Sequence, residues 1–148
     1  MNPWDPHTAI FAKHAQHVVI IHFPIALFIA GVTFDFISTW TCRKDLALVA
    51  YCSFCGALLT AVPAVLTGLL AWRWELDGRR LKGILLMHLL SGSASLVLIA
   101  AVWWVHWRFK RGTGEKPPAS RWMLEVLAVA VVAMTGHLGG FLSGVNHP

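Results

Sequence analysis

An all-α integral membrane protein, folded as a four-helix bundle, is what this sequence predicts, and three observations carry the prediction. Four apolar stretches are each long enough to cross a hydrocarbon core, which takes about 20 helical residues. Charge is scarce: 13% of the 148 residues are charged and 57% are hydrophobic. A soluble domain of this size could not hide so much apolar surface. Finally, of the eight tryptophans, Trp40, Trp72, Trp74, Trp103, Trp104, Trp107 and Trp122 fall at the ends of those stretches. The indole ring is apolar and its N–H needs a partner, so it favours the membrane interface.

Residues 1–17 read as an N-terminal arm. Asp5-Pro6 suits an N-cap followed by proline at the first helical position. Ile10 and Phe11 could dip among headgroups while Lys13 and His14 stay wet, as in a short interfacial helix. Residues 18–148 form a single transmembrane domain with spans at Val18–Thr39, Leu46–Trp72, Ile84–Trp107 and Trp122–Leu142. Each backbone amide in lipid must be satisfied within its own segment, so the spans are helices. The first span lacks a basic n-region and a small-residue cleavage site, so it is expected to stay in the mature protein.

The connections are short. Trp40–Asp45 makes the first two spans antiparallel neighbours, and Arg73–Gly83 is polar. Arg108–Arg121 carries Gly112, Gly114, Pro117 and Pro118, the composition of a surface connector. An even span count puts both termini on one side, and a compact bundle is the economical arrangement.

The net charge of +5 is no nucleic-acid footprint, because the basic residues lie in short loops where they set topology. Loops one and three hold Arg43, Lys44, Arg108, Lys110, Arg111, Lys116 and Arg121. The other side holds Lys13, Arg73, Arg79, Arg80 and Lys82. This balance places loops one and three in the cytoplasm and the termini in the periplasm of a bacterial inner membrane.

Histidines are the chemistry-bearing feature. His22 lies about one turn into the first span, His88 about one turn into the third, and His137 about one turn before the end of the fourth. Alternating span direction brings all three to one depth, with His17 at the mouth of the first span and His14 further out. Ligand-capable, ionisable groups in lipid are functional-site candidates. The competing reading is hydrogen-bonded interhelical packing. Gly92 lies one turn beyond His88, and Gly139 and Gly140 flank His137. They would let a bulky guest approach, or let helices pack closely through small-residue contacts. Pro24 removes the bond to the Ile20 carbonyl and could aim His22 inward.

Two facing imidazoles suit haem b. Three or four suit copper, zinc or iron. No Cys-x-x-Cys-His occurs, so thioether-linked haem is not expected. A second haem is not expected either, because the only histidine in the other leaflet is His106. Beside Trp107 and Arg108, it reads as a headgroup contact. Cys52 and Cys55, one turn apart, read as small apolar residues. Asp35 and Glu125 lie near the cytoplasmic ends of the first and fourth spans. They could take up protons or touch a quinone, or could pair with Arg43, Lys44 or Arg121.

The run His17-Val18-Val19-Ile20-Ile21-His22-Phe23-Pro24-Ile25-Ala26-Leu27 resembles bacterial predicted membrane proteins catalogued as domain of unknown function twenty-two thirty-one. Their signature is similar to His-Pro-x-x-Val-His-Phe-Pro-Ile-Ala-Leu. Here Val18 stands in place of the proline and Ile21 in place of the valine. Asp35 fits an acid later in the first helix. Thr67-Gly68 with Trp72 fits a Thr-Gly near the end of the second, although Ala71 stands where an Asp is common. His88 and His137-Leu138-Gly139-Gly140 fit the later motifs. The resemblance covers 17–147 and implies four helices and a redox context, since some relatives are joined to Rieske-type iron–sulfur domains.

The expectation is therefore a haem b-binding electron-transfer subunit rather than an independent enzyme. His22, His88, His137 and His17 are the candidate ligands. The partners of such a subunit would be the bilayer, redox-complex subunits or a periplasmic carrier, a quinone, and a second copy of the chain. A non-haem metal protein and a non-catalytic membrane anchor are the alternatives.

Overall fold

The structure, a computed structural model, describes residues 15–75, 78, 80–111 and 118–143. Its helices are α1 (Ala15–Ile20), α2 (His22–Thr41), α3 (Lys44–Glu75), α4 (Gly83–Arg111) and α5 (Arg121–Leu142), with no strand among the described residues. Helices α1 and α2 form one span, Gln16–Thr41, and the others cross at Lys44–Trp74, Gly83–Lys110 and Arg121–Leu142. These are the four expected spans, slightly longer at several ends. The expected N-terminal arm falls outside the described residues except for Ala15, Gln16 and His17, which are helical.

Pro24 accounts for the break between α1 and α2. It has no N–H, so the Ile20 carbonyl loses its helical donor. The ladder continues around the gap: the Ile21 N–H reaches the His17 carbonyl at 3.1 Å, and the Ile25 N–H reaches the Ile21 carbonyl at 3.4 Å. At loop one, α2 ends on Cys42 in the left-handed region (φ 54°), whose N–H donates to the Ser38 carbonyl. Arg43 and Asp45 form an exposed ion pair beside this turn.

Helix α2 packs chiefly on α3, and α4 on α5; α3 joins the two hairpins, and α2 meets α5 along the thinnest seam. The core between them is built from Phe28, Phe54, Ala57, Ile99, Val102, Ala128 and Val132. Many long apolar side chains face outward, for example Leu59 at 75% exposure and Val97 and Val126 at 66% each. Water would make that surface costly, at roughly 25 cal/mol per Å². Lipid does not, and this is why an inside-out distribution is stable here.

Phe54 is the central packing element. It is fully buried, lies 5.7 Å from the Phe28 ring, and lies 4.7 Å from the His106 ring. It fits because α2 carries glycine opposite it: a Cβ on Gly31 would fall 2.7 Å from the Phe54 ring. A methyl there would force the ring of this fully buried side chain, or the backbone beside it, to shift. Gly31→Ala is therefore expected to destabilise the bundle by about 1–3 kcal/mol, the usual cost of overpacking a filled core. Thermal or denaturant unfolding in detergent measures this, and unchanged stability would show that Phe54 is not so confined.

Candidate functional site

Helix α4 turns one face to the bundle interior: Ser91, Ser95, Ile99, Val102 and His106 are buried. His88 and His106 stand eighteen residues apart, about five turns at 3.6 residues per turn, so they share that face at its two ends. His106 is only 8% exposed. The headgroup contact expected for it is therefore corrected: its position on the helix wheel turns it inward despite its interfacial neighbours.

His106 belongs to a buried charge network drawn from three helices. Its Nε2 lies 2.9 Å from Glu125 Oε1 on α5. One turn earlier on α5, Arg121 Nε donates to Asp35 Oδ2 on α2 at 2.9 Å. Arg121 Nη2 donates to Thr39 Oγ1 at 2.8 Å, and Nε lies 4.0 Å from Glu125 Oε1. The Arg121 guanidinium also stands 4.3 Å from the centre of the Trp122 ring. Asp35, Arg121 and Glu125 are 5%, 8% and 0% exposed. Glu125 Oε2 is buried and has no hydrogen-bond partner among the described residues.

The order of the α5 pair is informative. A cation in the first turn of a helix opposes the macrodipole, and acid-before-base is the favourable i,i+4 order. Arg121 followed by Glu125 reverses both preferences. Its position is explained by Asp35 and Thr39 across the seam, not by helix stability. The sequence offered Arg121 among several partners for both acids, and the structure selects it over Arg43 and Lys44.

Charge counting shows what this network can do. Arg121 and Asp35 cancel. Glu125 and His106 are neutral together in two forms, as carboxylic acid with neutral imidazole or as carboxylate with imidazolium. These differ only by movement of one proton along a 2.9 Å hydrogen bond. Among the described residues, Asp35, His106 and Glu125 are also the one group of three metal-capable side chains with ligand atoms within 4.8 Å of one another. The Arg121 cation already sits among them.

The other end of the bundle holds the expected histidine site, and there the imidazoles do not converge. His22 and His137 are both exposed. On α2 the buried positions Phe28, Gly31 and Asp35 lie roughly opposite His22, at about 100° per residue. On α5 His137 lies roughly opposite Glu125, Ala128 and Val132. Pro24 therefore does not aim His22 inward as expected: His22 is exposed, away from the buried face of α2. His22 Nδ1 donates to the Val18 carbonyl at 2.6 Å, and His137 sits edge-on to Phe141 at 4.9 Å.

His17 and His88 turn inward. His17 Nδ1 lies 3.2 Å from Thr67 Oγ1, whose own proton is committed to the Pro63 or Ala64 carbonyl, so the imidazole is the donor. His88 Nδ1 donates to the Thr135 carbonyl at 3.2 Å. The neighbouring glycines make room for these rings: a Cβ on Gly68 would fall 2.9 Å from His17, and one on Gly139 would fall 3.2 Å from His88. Gly92 faces Thr135, and Gly136 faces Ile25. Gly140 is half-buried on α5. Ser95 and Thr135 hydroxyls meet at 3.0 Å and tie α4 to α5 in mid-membrane. Cys55 accepts a hydrogen bond from the Trp103 indole at 3.3 Å, and Cys52 is exposed.

Residues 13–146 match the model of a family described as Predicted membrane protein (DUF2231). The chain belongs to this family. No curated protein and no solved structure matches the chain. Within this DUF2231 protein, the motif residues meet in pairs: His17 rests on Thr67-Gly68, and His88 rests on Gly139.

Arg121→Gln is expected to cost about 3–5 kcal/mol, because it strands buried carboxylates. Arg121→Lys should recover little, since one ammonium cannot reproduce the planar fork that serves Asp35 and Thr39 together. Unfolding of the two variants in bilayers checks this. Stability near that of the unaltered protein in Arg121→Gln would show that the network carries no such constraint.

Proposed function

We propose that this protein is a membrane-embedded proton-exchanging subunit, in which His106 and Glu125 hold one transferable proton at the end of the bundle that carries loops one and three. The observation that carries this reading is Glu125: a carboxyl group with no exposure, one oxygen on an imidazole and the other without a partner among the described residues. Intramembrane acid–histidine chains mark proton relays. A purely structural ion pair would saturate both oxygens, since burying a polar atom without a partner costs about 1–3 kcal/mol. Arg121 and Asp35 supply a fixed, neutral frame, so gain or loss of a proton falls on the histidine–glutamate pair. Under the positive-inside rule this end faces the cytoplasm. Such a subunit would serve a quinone pool or a larger redox complex in a bacterial inner membrane.

A second reading, ligation of haem b or of copper, zinc or iron at the other end, draws on one observation. His17, His22 and His88 each donate through Nδ1, which makes Nε2 the lone-pair nitrogen. Ligating histidines are oriented in this way. His88 would be the first ligand and His17 the second, while His22 and His137, facing outward, would need a second copy of the chain. When bound, haem would supply one-electron chemistry. Reduced-minus-oxidised absorption spectra test this reading; haem bands lost in His88→Ala support it, and a purified protein without haem or stoichiometric metal rejects it.

Infrared difference spectra of the protein in bilayers, recorded across the histidine range of roughly pH 5–8, test the first reading. A titrating carboxyl band is expected, absent in Glu125→Gln, and displaced both in His106→Gln and in Asp35→Asn, which leaves the Arg121 cation uncompensated beside Glu125. No titrating carboxyl or imidazole signal, or one untouched by Glu125→Gln, would overturn it.

A further inference from the structure

Two buried carboxylates share one guanidinium, and they share it unequally. Arg121 Nε lies 2.9 Å from Asp35 Oδ2 and 4.0 Å from Glu125 Oε1, so it stands 1.1 Å farther from the second acid than from the first. The two acids bring oxygens within 4.8 Å of one another. Glu125 Oε2, also buried, has no hydrogen-bond partner among the described residues. Arg121 and Glu125 are four residues apart on α5 and therefore neighbours on its surface, so the guanidinium can change acids by side-chain rotation alone.

The two contacts differ in what they join. On Asp35 and Thr39, Arg121 bridges α5 to α2 across the thinnest seam of the bundle. On Glu125 it would stay within α5. The position of one side chain thus decides whether this end of the seam is clasped. Thr39 is built to tolerate release: its hydroxyl donates to the Asp35 carbonyl at 3.0 Å and only accepts from Arg121 at 2.8 Å, so its own proton keeps its partner when the cation leaves.

We propose that Arg121 is a two-position clasp: loss of the proton held by His106 and Glu125 moves the guanidinium from Asp35 to Glu125 and frees α2 from α5 at this end. The clasp rests on the proton-exchange reading and gives that site a mechanical output. While the pair keeps its proton, Glu125 is satisfied by the acid proton or by the imidazolium, and Arg121 serves Asp35. When the proton departs to water, a carboxylate and a neutral imidazole remain, and the network holds one uncompensated negative charge. From α5, His106 faces Glu125 and, behind it, Arg121; from α2, Asp35; from α3, the Phe54 ring. Lys110, one turn further along α4, is held over the Tyr51 ring of α3 at 3.9 Å. Among the described residues, Arg121 is the cation within 4.0 Å of both acids. An unpaired charge costs least where water can reach it. Glu125 is fully buried, whereas Asp35 lies at the seam, beside the exposed Phe36 and one turn from the exposed Thr39. Giving the cation to Glu125 leaves the unpaired charge at Asp35, where a parted seam hydrates it.

Magic-angle-spinning NMR of the full chain in bilayers, with ¹⁵N-arginine and ¹³C-labelled aspartate and glutamate, reads the position of the clasp. Spectra are compared at the two ends of the infrared titration, within the histidine range of roughly pH 5–8. At the acidic end the stronger contact of the Arg121 guanidinium nitrogens is expected with the Asp35 carboxyl carbon, and at the basic end with that of Glu125. The ring contact between Phe36 and Trp122, 5.7 Å in the structure, should weaken in step. In Glu125→Gln, verified as folded by circular dichroism, Arg121 should stay with Asp35 at both ends. An unchanged Arg121–Asp35 contact in a protein whose Glu125 titrates, an exchange of acids that leaves the Phe36–Trp122 contact intact, or a pH-dependent loss of the Asp35 contact in Glu125→Gln would each overturn the clasp and leave proton exchange standing. A Glu125 that does not titrate would remove both.

Discussion

A guanidinium buried inside a membrane bundle dictates where its partners must be. Arg121 stands at the first turn of α5, where its charge opposes the helix dipole, and it is 8% exposed. Once there, it needs an acid within hydrogen-bond reach, and the seam with α2 supplies Asp35 and Thr39. That contact sets how the two hairpins meet along their thinnest interface. It also places Glu125, one turn on, beside His106 of α4. Three helices are thus registered by one cation, and the protonatable pair is a consequence of that registration.

The apolar parts of the bundle support the same end. Phe54 fills the space left by Gly31 and lies against the His106 ring, closing the network off from the middle of the membrane. Beyond it, Ile99, Val102, Ala128 and Val132 form a dry section. On the buried face of α4 the next polar side-chain contact among the described residues is that of Ser95 with Thr135, which leads to His88. Ser95 and His106 are eleven residues apart on α4, roughly 16 Å of helix. The two histidines at opposite ends of one helix face are therefore insulated from each other, and each end is a separate chemical environment.

The four spans were legible because lipid leaves few choices: apolar length, satisfied amides and tryptophan ends all point the same way. Direction around the helix is where the expectation and the structure part: His22, expected to be aimed inward by Pro24, is exposed. His22 and Asp35 are thirteen residues apart and cannot share a face, and it is Asp35 that is buried. The neighbours of His106, Trp107 and Arg108, suggest the interface, but five turns of helix place it on the same inner face as His88. The glycines beside His88 and His137 admit either a guest or close helix packing, and at Gly139 the space is taken up by the His88 imidazole itself, as it is at Gly68 by that of His17. Pairing across helices, such as Arg121 with Asp35 rather than Arg43 with Asp35, depends on which helices are neighbours, and no periodicity within one span reports that.

The central claim is that His106 and Glu125 share a proton inside a neutral frame. Magic-angle-spinning NMR of the protein in bilayers, with ¹⁵N-histidine and ¹³C-glutamate, tests it most directly. A through-space correlation between the His106 Nε2 and the Glu125 carboxyl carbon is predicted, together with an imidazole nitrogen shift that moves when Asp35→Asn unbalances the frame. A His106 ring without that correlation, and with the shift of an imidazole at the membrane surface, would contradict the account.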